Sequence, residues 1–135
     1  MFRAVLAAVA VALVLPLSAQ AALSFAFDRA QAQVGQRVGA YQADAEGNPA
    51  PAWERNDGVT LYLASRQNLS HRVRLGTMHI DDQGVWSLRF RVPKVRPGLY
   101  MISFFCAPCG NTYLGSADRY STWTGKPGRL LKVRR

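Results

Sequence analysis

The stretch Val85-Trp86-Ser87-Leu88-Arg89-Phe90-Arg91-Val92 decides the fold class. Trp86, Leu88, Phe90 and Val92 fall on one side of an extended chain, and Arg89 and Arg91 on the other, the period of two that marks a half-buried strand. Just before it, Asp81-Asp82-Gln83-Gly84 reads as a tight turn, with glycine where a left-handed residue is needed. Just after it, Pro93 and Pro97-Gly98 end the strand. The following run, Leu99-Tyr100-Met101-Ile102-Ser103-Phe104-Phe105-Cys106, is apolar on both faces, as expected of a central strand.

Working outward, residues 22–27 alternate weakly and 34–39 read as a second strand. Residues 59–64 are β-branched and aromatic. Residues 71–75 alternate strictly, with 78–80 continuing past Gly76, and 129–133 form a last strand. Between 41 and 58 the chain collects Gly47, Asn48, Pro49, Pro51, Asn56, Asp57 and Gly58, which are turn formers, so this is the longest loop of the first half, with Trp53 as an aromatic anchor inside it. A second loop is expected over 107–128. No helical periodicity exceeds a turn, and no repeat or low-complexity linker divides the chain. About seven short strands separated by turn signals predict an all-β domain over 22–135, a single antiparallel β-sandwich.

The opening residues read differently. Met1-Phe2-Arg3 is followed by an apolar run from 4 to 15, a break at Pro16, and Ala19-Gln20-Ala21. A short positive segment, an apolar core and a small-x-small site are the parts of a cleavable secretory signal peptide, placed here at 1–21. An anchor would need about 20 uninterrupted apolar residues, and Pro16 ends the run early, so no transmembrane segment is expected in the mature chain. The implied location is extracellular or in the cell envelope.

The chain has 135 residues, with 17 Lys+Arg against 8 Asp+Glu and a net charge of +9. Losing Arg3 with the leader removes one of those charges. Lysine occurs only at Lys94, Lys126 and Lys132, so arginine carries the excess. Such a balance on an exported domain favours anionic neighbours: envelope polymers, lipid headgroups or nucleic acid met outside the cell. The partners expected are anionic envelope polymers or a larger envelope protein, with no specific nucleic-acid recognition. Alternation turns Arg72 and Arg74 outward on one strand and Arg89 and Arg91 outward on another. Were those strands to share a sheet, the four guanidinium groups would form one basic patch, with Lys94 and Arg96 at its edge, suited to phosphate or carboxylate through the planar arginine fork.

The segments Gln33-Val34-Gly35-Gln36-Arg37-Val38, Leu75-Gly76-Thr77, Asp82-Gln83-Gly84-Val85-Trp86, Phe90-Arg91-Val92-Pro93 and Pro97-Gly98-Leu99-Tyr100 resemble immunoglobulin-like modules of secreted bacterial proteins, of the actinobacterial type. The resemblance implies an immunoglobulin-like sandwich and an adhesion, scaffold or accessory role in the envelope. Its motifs report turns and buried positions, not a reaction.

The remaining candidates for chemistry are few. Cys106 and Cys109 are the only cysteines. Their two-residue spacing suits a thioredoxin-like site only at a helix N-terminus, and residues 110–115 do not read as a helix. An oxidising compartment favours a local disulfide that pins the strand end. The competing reading is an exported thiol-redox or copper-handling protein that uses this pair, with His71, His79, Met78 and Met101 as further soft donors. No spacing matches a metal-ligand pattern, so no metal and no cofactor is expected. No serine lies in a Gly-x-Ser-x-Gly context, and the acidic residues fall mostly in turns, so the sequence supports no named reaction and a non-enzymatic domain is expected. Intact-mass measurement of the exported protein should give a chain beginning at Ala22, whereas full-length mass in the membrane fraction would indicate an anchor.

Overall fold

The structure, a computed structural model, describes residues 24–44, 46–49, 58–106, 113–114 and 121–135, with backbone only at Tyr113 and Leu114. The expected leader at 1–21, Trp53 and Cys109 lie outside the described residues. Among the described residues ten strands run in chain order: β1 Ser24–Phe27, β2 Gln31–Gln33, β3 Arg37–Ala43, β4 Val59–Ser65, β5 Arg72–Thr77, β6 His79–Ile80, β7 Trp86–Arg91, β8 Gly98–Cys106, β9 Tyr113–Leu114 and β10 Leu131–Arg134. Among the described residues there is no helix, and the fold is all-β.

The strands form two sheets. One has the order β1-β3-β7-β6, and the other β2-β10-β8-β4-β5 with β9 also paired to β8. Alternation explains how they meet. Val38, Ala40, Leu88 and Phe90 face inward from the first sheet. Val59, Leu61, Leu63, Tyr100, Ile102, Phe104, Leu131 and Val133 do so from the second, and all join one buried cluster. Phe25 of β1 meets Phe104 of β8 across the interface with ring centroids 5.1 Å apart and planes tilted by 56°. Such a tilted pair adds to the area it removes from water.

Strand β7 buries Trp86, Leu88 and Phe90 and exposes Arg89 and Arg91, as its period of two predicts. The turn before it is closed by the Gly84 amide donating to the Asp81 carbonyl (3.0 Å). The Asp81 carboxylate accepts from the amides of Gln83 and Val85, and Gly84 sits at φ +75°. Strand β8 is the central strand its composition indicated. Its inner face joins the main core. On its outer face Met101 packs with Ala64 and Leu130 into a second small cluster, covered by Leu69, Leu99 and Trp123. The Trp123 indole N–H donates to the Ala30 carbonyl at 2.9 Å, and the Lys132 ammonium lies 4.8 Å from the ring centroid.

Several expectations are corrected. Residues 34–36 are a turn, not a strand: the Gln36 amide donates to the Gln33 carbonyl, Gly35 adopts φ +86°, and β3 starts only at Arg37 and continues to Ala43 into the expected loop. The arrangement is not purely antiparallel, because β2 pairs with β10 in parallel, Ala32 opposite Val133. Three residues with the pattern Gln-Ala-Gln are too short to show periodicity, so β2 escapes detection. Residues 71–80 are not one strand. β5 stays with β4, and the chain then crosses to the other sheet at Met78, which is buried and donates its amide to the Val59 carbonyl at 3.0 Å.

Gly39 lies beneath the Asp28 carboxylate, whose Oδ1 accepts the Gly39 amide at 2.9 Å. A Cβ at position 39 would stand 2.7 Å from Asp28 Oδ2. Gly39→Ala should therefore push the carboxylate off its donor and cost about 1 kcal/mol. The effect should vanish in an Asp28→Ala background, which a double-mutant cycle by denaturant unfolding checks.

Candidate functional site

The registers place the ends of the strands without ambiguity. Arg37 pairs with Arg91, Val133 with Gly98, Arg134 with Gln33, Ser65 with Tyr100, and Ala64 with Arg72. One end of the double layer is thus built by segments 33–37, 65–72, 91–100 and 133–135. These hold Arg37, Arg66, Arg72, Arg91, Lys94, Arg96, Arg134 and Arg135, and not one Asp or Glu. The other end carries the turns with Asp44, Glu46, Asp81 and Asp82. Among the described residues positive charge is gathered at one end of the strands, whereas the other end mixes these carboxylates with Arg129.

The condition for one basic face, that these strands share a sheet, is not met. Arg72 and Arg74 stand on β5 in one sheet, and Arg89 and Arg91 on β7 in the other. The Asp81 to Gly84 turn joins β7 to β6 and not to β5, so the four do not share a face. The crossing at Met78 is the physical cause. Arg72, Arg91, Lys94 and Arg96 nonetheless meet at the same end of the molecule, because β7 leads into β8 there through residues 92–97.

Two hollows open at or beside this end. The larger is a cleft of about 920 Å³, walled by the β4–β5 loop with Arg66, Asn68 and His71, by the start of β5 with Arg72, and by Val95, Arg96, Pro97, Leu99 and Tyr100. Its walls are held by short-range bonds. The Arg66 amide donates to the Leu99 carbonyl at 3.0 Å, and the His71 amide to the Asn68 carbonyl at 3.0 Å. The Asn68 side chain lies 3.4 Å from the His71 ring and accepts from the Ser70 amide at 3.2 Å. The Arg72 guanidinium lies 5.8 Å from the centroid of the Tyr62 ring. The Tyr100 hydroxyl donates to the Arg96 carbonyl at 2.6 Å, clamping the 92–97 loop to the core. Burial pushes that phenol above its ordinary pKa, and the nearby Arg96 charge opposes the rise. A cationic rim over an apolar floor suits anionic groups on a larger molecule.

The smaller hollow, about 300 Å³, lies on the outer face of the four-stranded sheet between Arg37, Arg89 and Arg91. Arg37 was not among the residues that alternation singled out. Its position opposite Arg91 depends on the β3–β7 register, which no local pattern reveals.

The soft donors do not converge. His71 lies at the basic end and His79 on β6 at the other. Among the described residues no three His, Cys, Asp or Glu are grouped to hold a metal. Cys106 is fully buried on the inner face of β8. Comparison with known proteins finds no matching family model and no matching curated protein.

Removing the Tyr100 clamp tests whether cleft geometry matters apart from charge. Tyr100→Phe should cost about 1 kcal/mol in denaturant unfolding. It should also elute earlier than wild type from an anionic-polymer column at low salt, although no charge has changed.

Proposed function

We propose that this chain is an exported, non-enzymatic binding domain of the cell envelope, an immunoglobulin-like sandwich whose arginine-rich end holds anionic envelope polymers. The observation that carries the reading is the gathering of positive charge: every charged side chain in the four segments at that end is basic, and Arg66, Arg72 and Arg96 among them line the cleft. Gathering cations at one end costs self-repulsion, and a polyanion relieves it. Guanidinium groups from two separate loops can each pair with a carboxylate or phosphate, so that several weak contacts add along one chain.

In the same reading Cys106 is bonded to Cys109, closing a short loop at the far end of β8. Complete burial of Cys106 supports a structural role, since a reactive sulfur needs solvent access. Strand β8 would then be fixed at both ends, by the disulfide at one and by the Tyr100 clamp at the other.

The triple variant Arg72→Gln, Lys94→Gln, Arg96→Gln should fold normally and bind immobilised heparin about tenfold more weakly at low salt, at roughly 0.5 kcal/mol for each exposed ion pair removed. Arg129→Gln, whose guanidinium donates to the Asp44 carbonyl at the opposite end, should bind as wild type does. Equal retention of the triple variant and wild type would overturn the reading, as would wild-type retention that ignores salt.

A further inference from the structure

The outer face of the four-stranded sheet carries a second feature that the polymer reading does not require. Arg37 on β3 and Arg91 on β7 are direct cross-strand partners, and Arg89 follows on the same face of β7. Partners in such a pair have Cβ atoms about 5 Å apart, and like charges placed so oppose one another. Opposite Arg89 stands Gly39, over which the Asp28 carboxylate lies, and the hollow itself is lined by Arg37, Arg89, Phe90 and Arg91. Arg29 adds a further cation, its guanidinium donating to the Arg37 carbonyl at 3.4 Å. The nearest carboxylate across Gly39, that of Asp28, is engaged by the Gly39 amide.

The three arginines are not equally held. Arg91 donates to the Gly35 carbonyl at 3.1 Å, which fixes its fork at the rim. Among the described residues neither Arg37 nor Arg89 has a side-chain partner. One anchored and two uncommitted guanidinium groups line one hollow of about 300 Å³ and offer it donor N–H groups. A tetrahedral oxyanion presents several terminal oxygens in three dimensions, and so turns an acceptor toward each of the three forks more readily than a planar carboxylate does.

We infer that Arg37, Arg89 and Arg91 form a discrete site for one tetrahedral oxyanion, the terminal group of a phosphate or sulfate monoester. The site is separate from the cleft at Arg72 and Arg96, and it stands whether or not the domain binds polymers. In its absence the trio destabilises the sheet, so neutralising one unanchored arginine raises stability while abolishing the response to anion.

The test is thermal unfolding at constant ionic strength, with chloride exchanged for inorganic phosphate, glycerol 3-phosphate or glucose 6-sulfate. Wild type should gain melting temperature saturably over the millimolar range. Arg37→Gln and Arg89→Gln should each melt higher than wild type in chloride and show no gain with any of the three anions. The cleft variant Arg72→Gln, Lys94→Gln, Arg96→Gln should keep the full wild-type gain, so failure of polymer retention and failure of this response are separately readable. A gain with inorganic phosphate alone assigns the site to the free ion, and a comparable gain with the two esters assigns it to an ester terminus. Equal anion response in wild type and both arginine variants would overturn the inference. So would variants that melt lower than wild type in chloride, since that is the mark of arginines serving structure alone.

Discussion

The contact between the two inner faces is what the rest of the molecule depends on, and at its heart Phe25 of β1 meets Phe104 of β8. Neither sheet can exist with its inner face wet. Each fully buried phenylalanine or leucine there contributes about 1.5–3 kcal/mol by leaving water, and β1, β3 and β7 supply one half of that surface while β4, β8 and β10 supply the other. The pairing also sets which residues face out. Once Leu88 and Phe90 are committed inward, Arg89 and Arg91 have no choice but the solvent side.

Closing two sheets on one core obliges the chain to pass between them, and the places where it does so are where function can be built. At Met78 it crosses at the end opposite the arginine-rich one, with the Met78 side chain buried in the core. At residues 92–97 it returns at the other end, bringing Val95 and Arg96 beside the β4–β5 loop with Arg66 and beside Arg72. The second crossing is braced from within by the Tyr100 hydroxyl on the Arg96 carbonyl. The cleft is thus a product of connectivity: loops far apart in sequence become its opposite walls because their strands are neighbours in the sheets. The arginine trio arises from register instead, through the cross-strand pair of Arg37 and Arg91 with Arg89 on the same face.

Local pattern is strong where a strand is long and one-sided. Strand β7, the turn at Asp81 and Gly84, and the doubly apolar β8 are all readable from residue order, because period two and turn chemistry act within a few residues. It is weak where pairing supplies what sequence lacks. β2 has three residues and owes its existence to a parallel ladder with β10. The turn at Gly35 interrupts a run, Val34 to Val38, that looks extended by composition, and there the hydrogen bond from Gln36 to Gln33 decides the outcome. The outward direction of Arg72, Arg74, Arg89 and Arg91 follows from alternation, but whether they face the same way in space does not.

What the sequence by itself determined is the all-β class, the central place of residues 98–106, the outward direction of the arginines and the excess of positive charge, each a consequence of side-chain alternation or composition. Which arginines stand together was decided only by tertiary structure. Assignment of β5 and β7 to different sheets divided the expected patch, and the β3–β7 register joined Arg37 to Arg91. The physical reason is one of range. Polarity and turn preference act between near neighbours along the chain, whereas the choice of sheet partner is settled by burying apolar faces contributed by strands far apart in sequence, and that choice carries the charged side chains wherever the core requires.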